Sequence, residues 1–330
     1  MYLTDSMGIT DVEGVKVGHS TNLEAATGCT VILCEDGAVG GVDVRGPSPG
    51  TRETDLLRPT YNVNVVHAIL LSGGSAFGLD AASGVMRYLE ERDIGYQAGD
   101  VKVPIVPAAI LYDLRMITNK VRPGPEDGYA ACESASREPV EEGSVGAGTG
   151  ATVGKVMGYD RGVKGGIGTS SIHLGDGLVV GAITAVNAIG GVYEHRTGAL
   201  VAGPRNPDSG LMLDSLELMT SPNFKRPQVV PGTNTTIGVV ATNARLTKEQ
   251  ANKLASSSHD GLAMAVRPAH LMGDGDVIFG LATGKHEPEV ELNRILAAAA
   301  VCVSDAIVRA IRMATGLGGI PCIGELAKHD

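Results

Sequence analysis

Four short stretches carry side chains whose types and spacing could do chemistry. In PGTNTTIGVVATN (231–243), Thr235 opens an apolar, β-branched run directly after a polar linker and Asn234. A hydroxyl placed there could attack the carbonyl of residue 234 in an N→O acyl shift, and water would then release a new chain beginning at Thr235. The freed α-amine, with an ordinary pKa of about 8, could act as base to its own hydroxyl. The same layout also suits a plain strand start, where Thr is at home. The turn Gly273-Asp274-Gly275-Asp276 offers two carboxylates one residue apart at the head of another strand. They could hold a catalytic amine, bind a substrate ammonium, ligate a cation, or form an ordinary polar turn. Lys155 stands alone in the small-residue segment GSVGAGTGATVGKVMG (143–158). Buried, its amine could serve as base or electrostatic aid; exposed, it is a surface lysine. Asn187, inside the apolar run AITAVNAIGGV, needs hydrogen-bond partners if buried and could stabilise an oxyanion.

Other chemistries are disfavoured. Asn234-Thr235-Thr236 fits a glycosylation sequon, but MYLTDSMGIT lacks the basic and apolar segments of a secretory signal. The longest apolar run, Ile295 to Val303, is too short to span a bilayer. Cys29, Cys34, Cys132, Cys302 and Cys322 are odd in number and widely spaced, which points to free buried thiols in a reducing cytoplasm. The calcium-loop pattern is missing, and His259 and His270 stand too far apart for one helical face, so neither a metal nor a cofactor is expected. A net charge of −10 spread along the chain argues against nucleic acid as ligand and favours small molecules or short peptides. LSGGSAFGLDAASG has neither the phosphate-loop nor the nucleophile-elbow spacing. Gly73-Gly74-Ser75 instead reads as a close-packed turn whose helix N-terminus could face a ligand.

These residues need a scaffold, and 330 residues at 43% hydrophobic content can bury a large core, with 46 glycines suggesting tight turns and close backbone packing. Strands are expected at 29–34, 38–44 and 65–71, and a helix over 75–92. Proline-interrupted 101–114 reads as extended, and 122–142 as a surface excursion. Two strands within 166–192 should meet at an Asp176-Gly177 hairpin. The polar stretch 198–231 reads as loop or linker. Thr247 and Gln250 form a capping box that opens a helix to about His259, followed by a strand at 276–284 and a helix from about 289 to 314. Strands and helices come in clusters, which favours an α+β sandwich of sheets flanked by helices over a doubly wound sheet.

Taken in order, LSGGSAFGLDAA, VPAAILYD, GATVGK, AVNAIGG, NTTIGVVATNA and GDGDVIFGLATG resemble the DmpA/BapA-type aminopeptidases and the related nylon-oligomer hydrolase (NylC) branch, from about Gly8 to Leu317. That resemblance implies an αββα sandwich of the N-terminal-nucleophile-hydrolase-like type. It implies autocleavage between Asn234 and Thr235 into chains 1–234 and 235–330, with Thr235 as nucleophile. Lys155 and Asn187 match the family's assisting residues, Tyr112 a tyrosine near the substrate, and Asp274 and Asp276 the polar pair downstream of the nucleophile. The β-aminopeptidases have a Ser nucleophile with Ser and Glu as that pair, so Asn-Thr and Asp-x-Asp bring this chain nearer the nylon-oligomer branch. The implied substrates are short peptides, amides or linear amide oligomers, and the implied assembly is a homo-oligomer, a tetramer in the family. Two alternatives stand beside this: an ornithine acetyltransferase-like acyl transferase, which also cuts itself before a Thr, and a non-catalytic binding protein on the same fold.

Overall fold

In the computed structural model, which describes residues 8–225 and 232–326, the central strands are buried along their whole length. That burial follows from layering. Nine strands form one hydrogen-bonded network: β1 (Lys16–Asn22), β2 (Thr27–Val44), β3 (Thr51–Arg52), β4 (Val66–Ser72), β5 (Ala108–Ile110), β6 (Gly166–Gly175), β7 (Leu178–Asn187), β8 (Thr235–Ala244) and β9 (Val277–His286). Their order is β6-β7-β8-β9-β2-β4-β5-β3, with β1 pairing to β2. The β8–β9 and β4–β5 pairs are parallel and the others antiparallel.

The 18-residue β2 belongs to two sheets. Its first half pairs with β1 and β4, and its second half pairs with β9. The register breaks between Leu33 and Ala38, where Gly37 has a φ of 83°. The network therefore folds back on itself, and side-chain parity shows how. Ile32, Ile69 and Leu71 of the first sheet share one core with Ile183, Val239 and Phe279 of the second. Val31, Leu33 and Leu70, on the opposite parity, pack with Val85 and Leu89 of α1 (Ala81–Glu90) and Cys132 of α2 (Pro125–Glu133). On the far side, Val180, Val240 and Ile278 pack with Leu254 of α3 (Lys248–Ala265) and Cys302 of α4 (Leu292–Arg312). Three cores separate four layers, α-β-β-α, which is the architecture expected. Period-2 alternation with both faces apolar is why these strands read as continuous hydrophobic runs.

Several elements differ from the expectation. The runs 29–34 and 38–44 are one strand, because β2 bends at Gly37 without leaving the sheet. The helix expected over 75–92 begins as a 3₁₀ segment, Ser75–Asp80, before α1. The 122–142 excursion contains α2. Pro125 sits in its first turn and the Asp127 carboxylate accepts from Gly124 N, so a proline-rich segment starts a helix rather than a loop. α2 then lies directly on α1, since a Cβ on Gly84 would run into the Pro125 carbonyl. Within 198–231, Leu200–Ala202 is a strand and Ser215–Thr220 a helix capped by Asp214, while 226–231 lie outside the described residues. The Thr247–Gln250 box holds, but α3 continues to Ala265 because Leu262 and Ala265 extend its buried face. Asp176 and Gly177 make the expected hairpin with φ values of 49° and 78°. All five cysteines are free and buried. Among the described residues no helix is long and apolar enough to cross a membrane.

Candidate active site

Thr235 is the first residue of β8, and its neighbours come from both sides of that strand. On one side it stands opposite Asn187, the last residue of β7. On the other, Asn234 bridges Asp274 just ahead of β9. Sheet register therefore gathers residues 187, 235 and 274, far apart in the chain, at one end of three adjacent strands. Thr235, Asn187 and Asp274 are each at most 3% exposed.

The geometry around the Asn234-Thr235 peptide bond is specific. Thr235 Oγ1 donates to the Asn234 carbonyl oxygen at 2.6 Å. The Gly275 N–H donates to the same oxygen at 2.9 Å. A donor is thus already aimed at the atom that would become negative if the hydroxyl attacked the adjoining carbon. Gly275 has to be glycine here, because a Cβ would lie 2.6 Å from the Ser48 carbonyl oxygen and 3.0 Å from Thr235 Oγ1.

Lys155 is buried, and its ammonium donates to Asn187 O at 2.9 Å and to Asn187 Oδ1 at 2.8 Å. Burial pushes its pKa down from 10.5 to about 7; the Asp274 charge opposes this, while Lys164 and Arg115 add to it. Asn187 is fully engaged. Its Oδ1 also accepts from Thr152 N, and its Nδ2 donates to the carbonyls of Tyr112 and Thr233. This amide therefore orders the segment just before Asn234, and its donors point at backbone oxygens.

The two aspartates are unlike each other. Asp276 accepts from Thr236 N at 2.7 Å through Oδ1, and from His270 N and Nδ1 through Oδ2. Asp274 accepts from Leu271 N through Oδ2, but its buried Oδ1 has no partner. Burial, with the neighbouring Asp276 charge behind it, pushes Asp274 up to about 7. A buried amine and a buried carboxylate, both poised near neutrality, thus stand near the start of β8, Lys155 through its bonds to Asn187 and Asp274 through the bridge to Asn234.

Of the remaining expected site residues, Tyr112 reaches the cluster through its backbone carbonyl. Gly73, Gly74 and Ser75 reach it indirectly: Gly74 N donates to Asp113 Oδ1, and Asp113 adjoins Tyr112. Gly275, His270 and Asp113 were not singled out from the sequence for these roles. Gly275 offers only a backbone N–H inside a carboxylate-bearing turn, and the sequence spacing of His270 bears only on zinc binding. Among the described residues, the one His/carboxylate trio close enough to share a cation is Glu194, His195 and Asp305. It includes none of these residues, and Arg196 and Arg312 already bind its carboxylates.

The four-layer fold is of the N-terminal-nucleophile hydrolase type. The sequence pattern described as peptidase family S58 matches residues 8–321, and the chain belongs to that family. An uncharacterized aminopeptidase of Mycobacterium leprae is 41% identical over 95% of this chain and 92% of its own. A 6-aminohexanoate-oligomer endohydrolase of Kocuria sp. is 34% identical over 83% of this chain and 74% of its own. The structure of an L-aminopeptidase D-Ala-esterase/amidase from Ochrobactrum anthropi, described as a variant of the Ntn hydrolase fold, superimposes with a TM-score of 0.70 at 21% identity, covering 97% of this chain and 91% of that one. The family makes this chain a peptidase acting on peptide or amide bonds.

Proposed function

We propose that the chain cuts itself between Asn234 and Thr235, giving pieces 1–234 and 235–330, and that Thr235 is then the nucleophile of an amidohydrolase. The observation that carries this reading is the Thr235 hydroxyl resting on the Asn234 carbonyl while Gly275 N–H holds the same oxygen. In self-cleavage, Oγ1 gives up its proton and bonds to the Asn234 carbonyl carbon. The C–N bond breaks, its nitrogen becomes the Thr235 amine, and water hydrolyses the ester. In turnover, Oγ1 attacks a substrate amide, the leaving amine takes the proton, and water deacylates Thr235. Lys155 or the Thr235 amine takes the hydroxyl proton, the Gly275 N–H faces the oxyanion in self-cleavage, Asn187 joins the backbone donors in turnover once cleavage releases its amide from the Thr233 carbonyl, and Asp276 fixes the start of β8. The unpartnered Oδ1 of Asp274 supports a role in receiving the new α-ammonium of Thr235.

The relatives' names suggest short peptides with a free N-terminus or linear amide oligomers as substrates, with Tyr112 and the Gly73-Gly74-Ser75 turn on the substrate side. A homo-oligomer and a cytoplasmic location belong to the same proposal; five free buried thiols support the latter. Intact-mass measurement should find two chains with a new N-terminus at Thr235, and a panel of peptide and amide substrates should be turned over. Thr235→Ala should leave one uncut, inactive chain. An uncut wild-type chain that turns substrates over, or an active Thr235→Ala variant, would overturn the proposal.

A further inference from the structure

A second buried lysine lies beneath the site and has no part in the mechanism above. Lys164 is fully buried, and its ammonium donates to the carbonyls of Thr149 and Ala151, at 3.0 and 2.7 Å. Those carbonyls flank Gly150. Gly150 itself lies against Asp113, since a Cβ there would fall 2.5 Å from Asp113 Cβ. Asp113 is also buried, and it accepts from Gly74 N at 2.8 Å and from Thr27 Oγ1 at 2.6 Å. Both residues lead to Asn187 by one short step. Ala151 precedes Thr152, whose N–H holds Asn187 Oδ1, and Asp113 follows Tyr112, whose carbonyl holds Asn187 Nδ2.

We propose that Lys164 and Asp113 are positioning residues, a buried opposite-charge pair clamped about Gly150 that holds the two backbone segments gripping Asn187 and so sets the placement of Lys155 against Thr235. Deeply buried charges are expensive for a fold to keep, and two backbone carbonyls could have been satisfied by ordinary sheet pairing. What the charge adds is rigidity in an irregular, glycine-rich segment that ordinary secondary structure does not hold. It also adds a field: Lys164 and Arg115 face Lys155 with positive charge and Asp274 faces it with negative charge, so Lys164 helps keep the Lys155 amine poised near neutrality. Burial pushes Lys164 down to about 7 and Asp113 upward, and each partly offsets this by favouring the other's charged form.

This inference rests on Thr235 being the nucleophile, and the test separates the two. Enzyme would be prepared as wild type, Thr235→Ala, Lys164→Met, Lys164→Arg and Asp113→Asn. For each, the fraction bearing a Thr235 N-terminus would be titrated, and kcat, KM and the pH profile measured per titrated site. Lys164→Met is expected to lower kcat by roughly 10- to 100-fold, the cost of a small misplacement transmitted to the reacting groups. KM should change little, and the acid-side limb should move to higher pH because a like charge near Lys155 is gone. Lys164→Arg should lose kcat yet keep the acid-side limb in place. If Lys164→Met does not fold, Asp113→Asn, which can still accept from Gly74 and Thr27, carries the test with the same expected loss of kcat. Wild-type kcat and pH profile per site in folded Lys164→Met, or wild-type kcat in Asp113→Asn, would overturn the inference while leaving Thr235 as nucleophile. Activity surviving in Thr235→Ala would remove the mechanism beneath both.

Discussion

Replacing Lys155 by Met should separate what this residue does for the reaction from what it does for the fold. In the structure the Lys155 ammonium is buried and donates twice to Asn187. Burial lowers its pKa from 10.5 to about 7. The sign follows from linkage. Below pH 7 both folded and unfolded chains carry the charge, and the full cost of burying it is present. Between 7 and 10.5 only the unfolded chain is protonated, so the folded chain gains stability as pH rises. At about 1.4 kcal/mol for each tenfold change in proton affinity, the stability of the lysine-bearing chain relative to the Met variant should climb by roughly 3 kcal/mol between pH 6 and pH 9. Asp274 already enters this balance by favouring the ammonium. The comparison is made between Thr235→Ala and Thr235→Ala/Lys155→Met, so that both chains are uncut, by urea unfolding at several pH values. In the Thr235-bearing protein the same change should slow turnover by about 10²- to 10⁴-fold, the usual worth of a positioned proton acceptor. Two stability curves running parallel from pH 6 to 9 would show that the Lys155 proton affinity is unaltered by folding and would refute the reasoning.

Other perturbations probe the neighbours. Gly275→Ala places a Cβ against Ser48 O and Thr235 Oγ1, and should slow appearance of the 1–234 piece at least about tenfold by time-resolved mass analysis. Asp274, raised to about 7, loses fold stability as pH climbs from its unfolded value near 3.8 through 7. Asp274→Asn should therefore be increasingly more stable than the parent from pH 5 to 8 in melting curves, while activity falls. Gly84→Ala forces α1 and α2 apart, so it should lower the melting temperature by several degrees, about 1–3 kcal/mol of overpacking, with kcat per Thr235 N-terminus unchanged.

The layers were legible in the sequence because strands buried on both faces and helices with one apolar face leave different periods in the chain. The Asp176-Gly177 hairpin and the Thr247–Gln250 cap were legible because turn and cap chemistry is local. What local reading lost was anything set by a distant partner. The helix at 125–133 hides among prolines and charges, and its stability comes from glycine contacts with α1. At the site, Thr235, Lys155, Asn187 and the Asp pair could be singled out as residue types, but their meeting depends on the register of β7 and β8, the Asn234–Asp274 bridge and the Lys155 bonds to Asn187. The Gly275 N–H could not be foreseen, since a backbone donor leaves no side-chain signature.

The double membership of β2 bears on the life of the cut protein. β8 and β9, from the C-terminal piece, lie between β7 and β2, from the N-terminal piece, and α3 and α4 cover the same sheet. A break at 234–235 would leave two interleaved polypeptides that cannot part without dismantling the central sheet. Before the break, folding is a first-order event whose rate ignores concentration. After it, recovery from full unfolding becomes a second-order search between separate molecules. Such an enzyme is folded once as a single chain and thereafter preserved by the height of its unfolding barrier, so its working lifetime is a kinetic quantity.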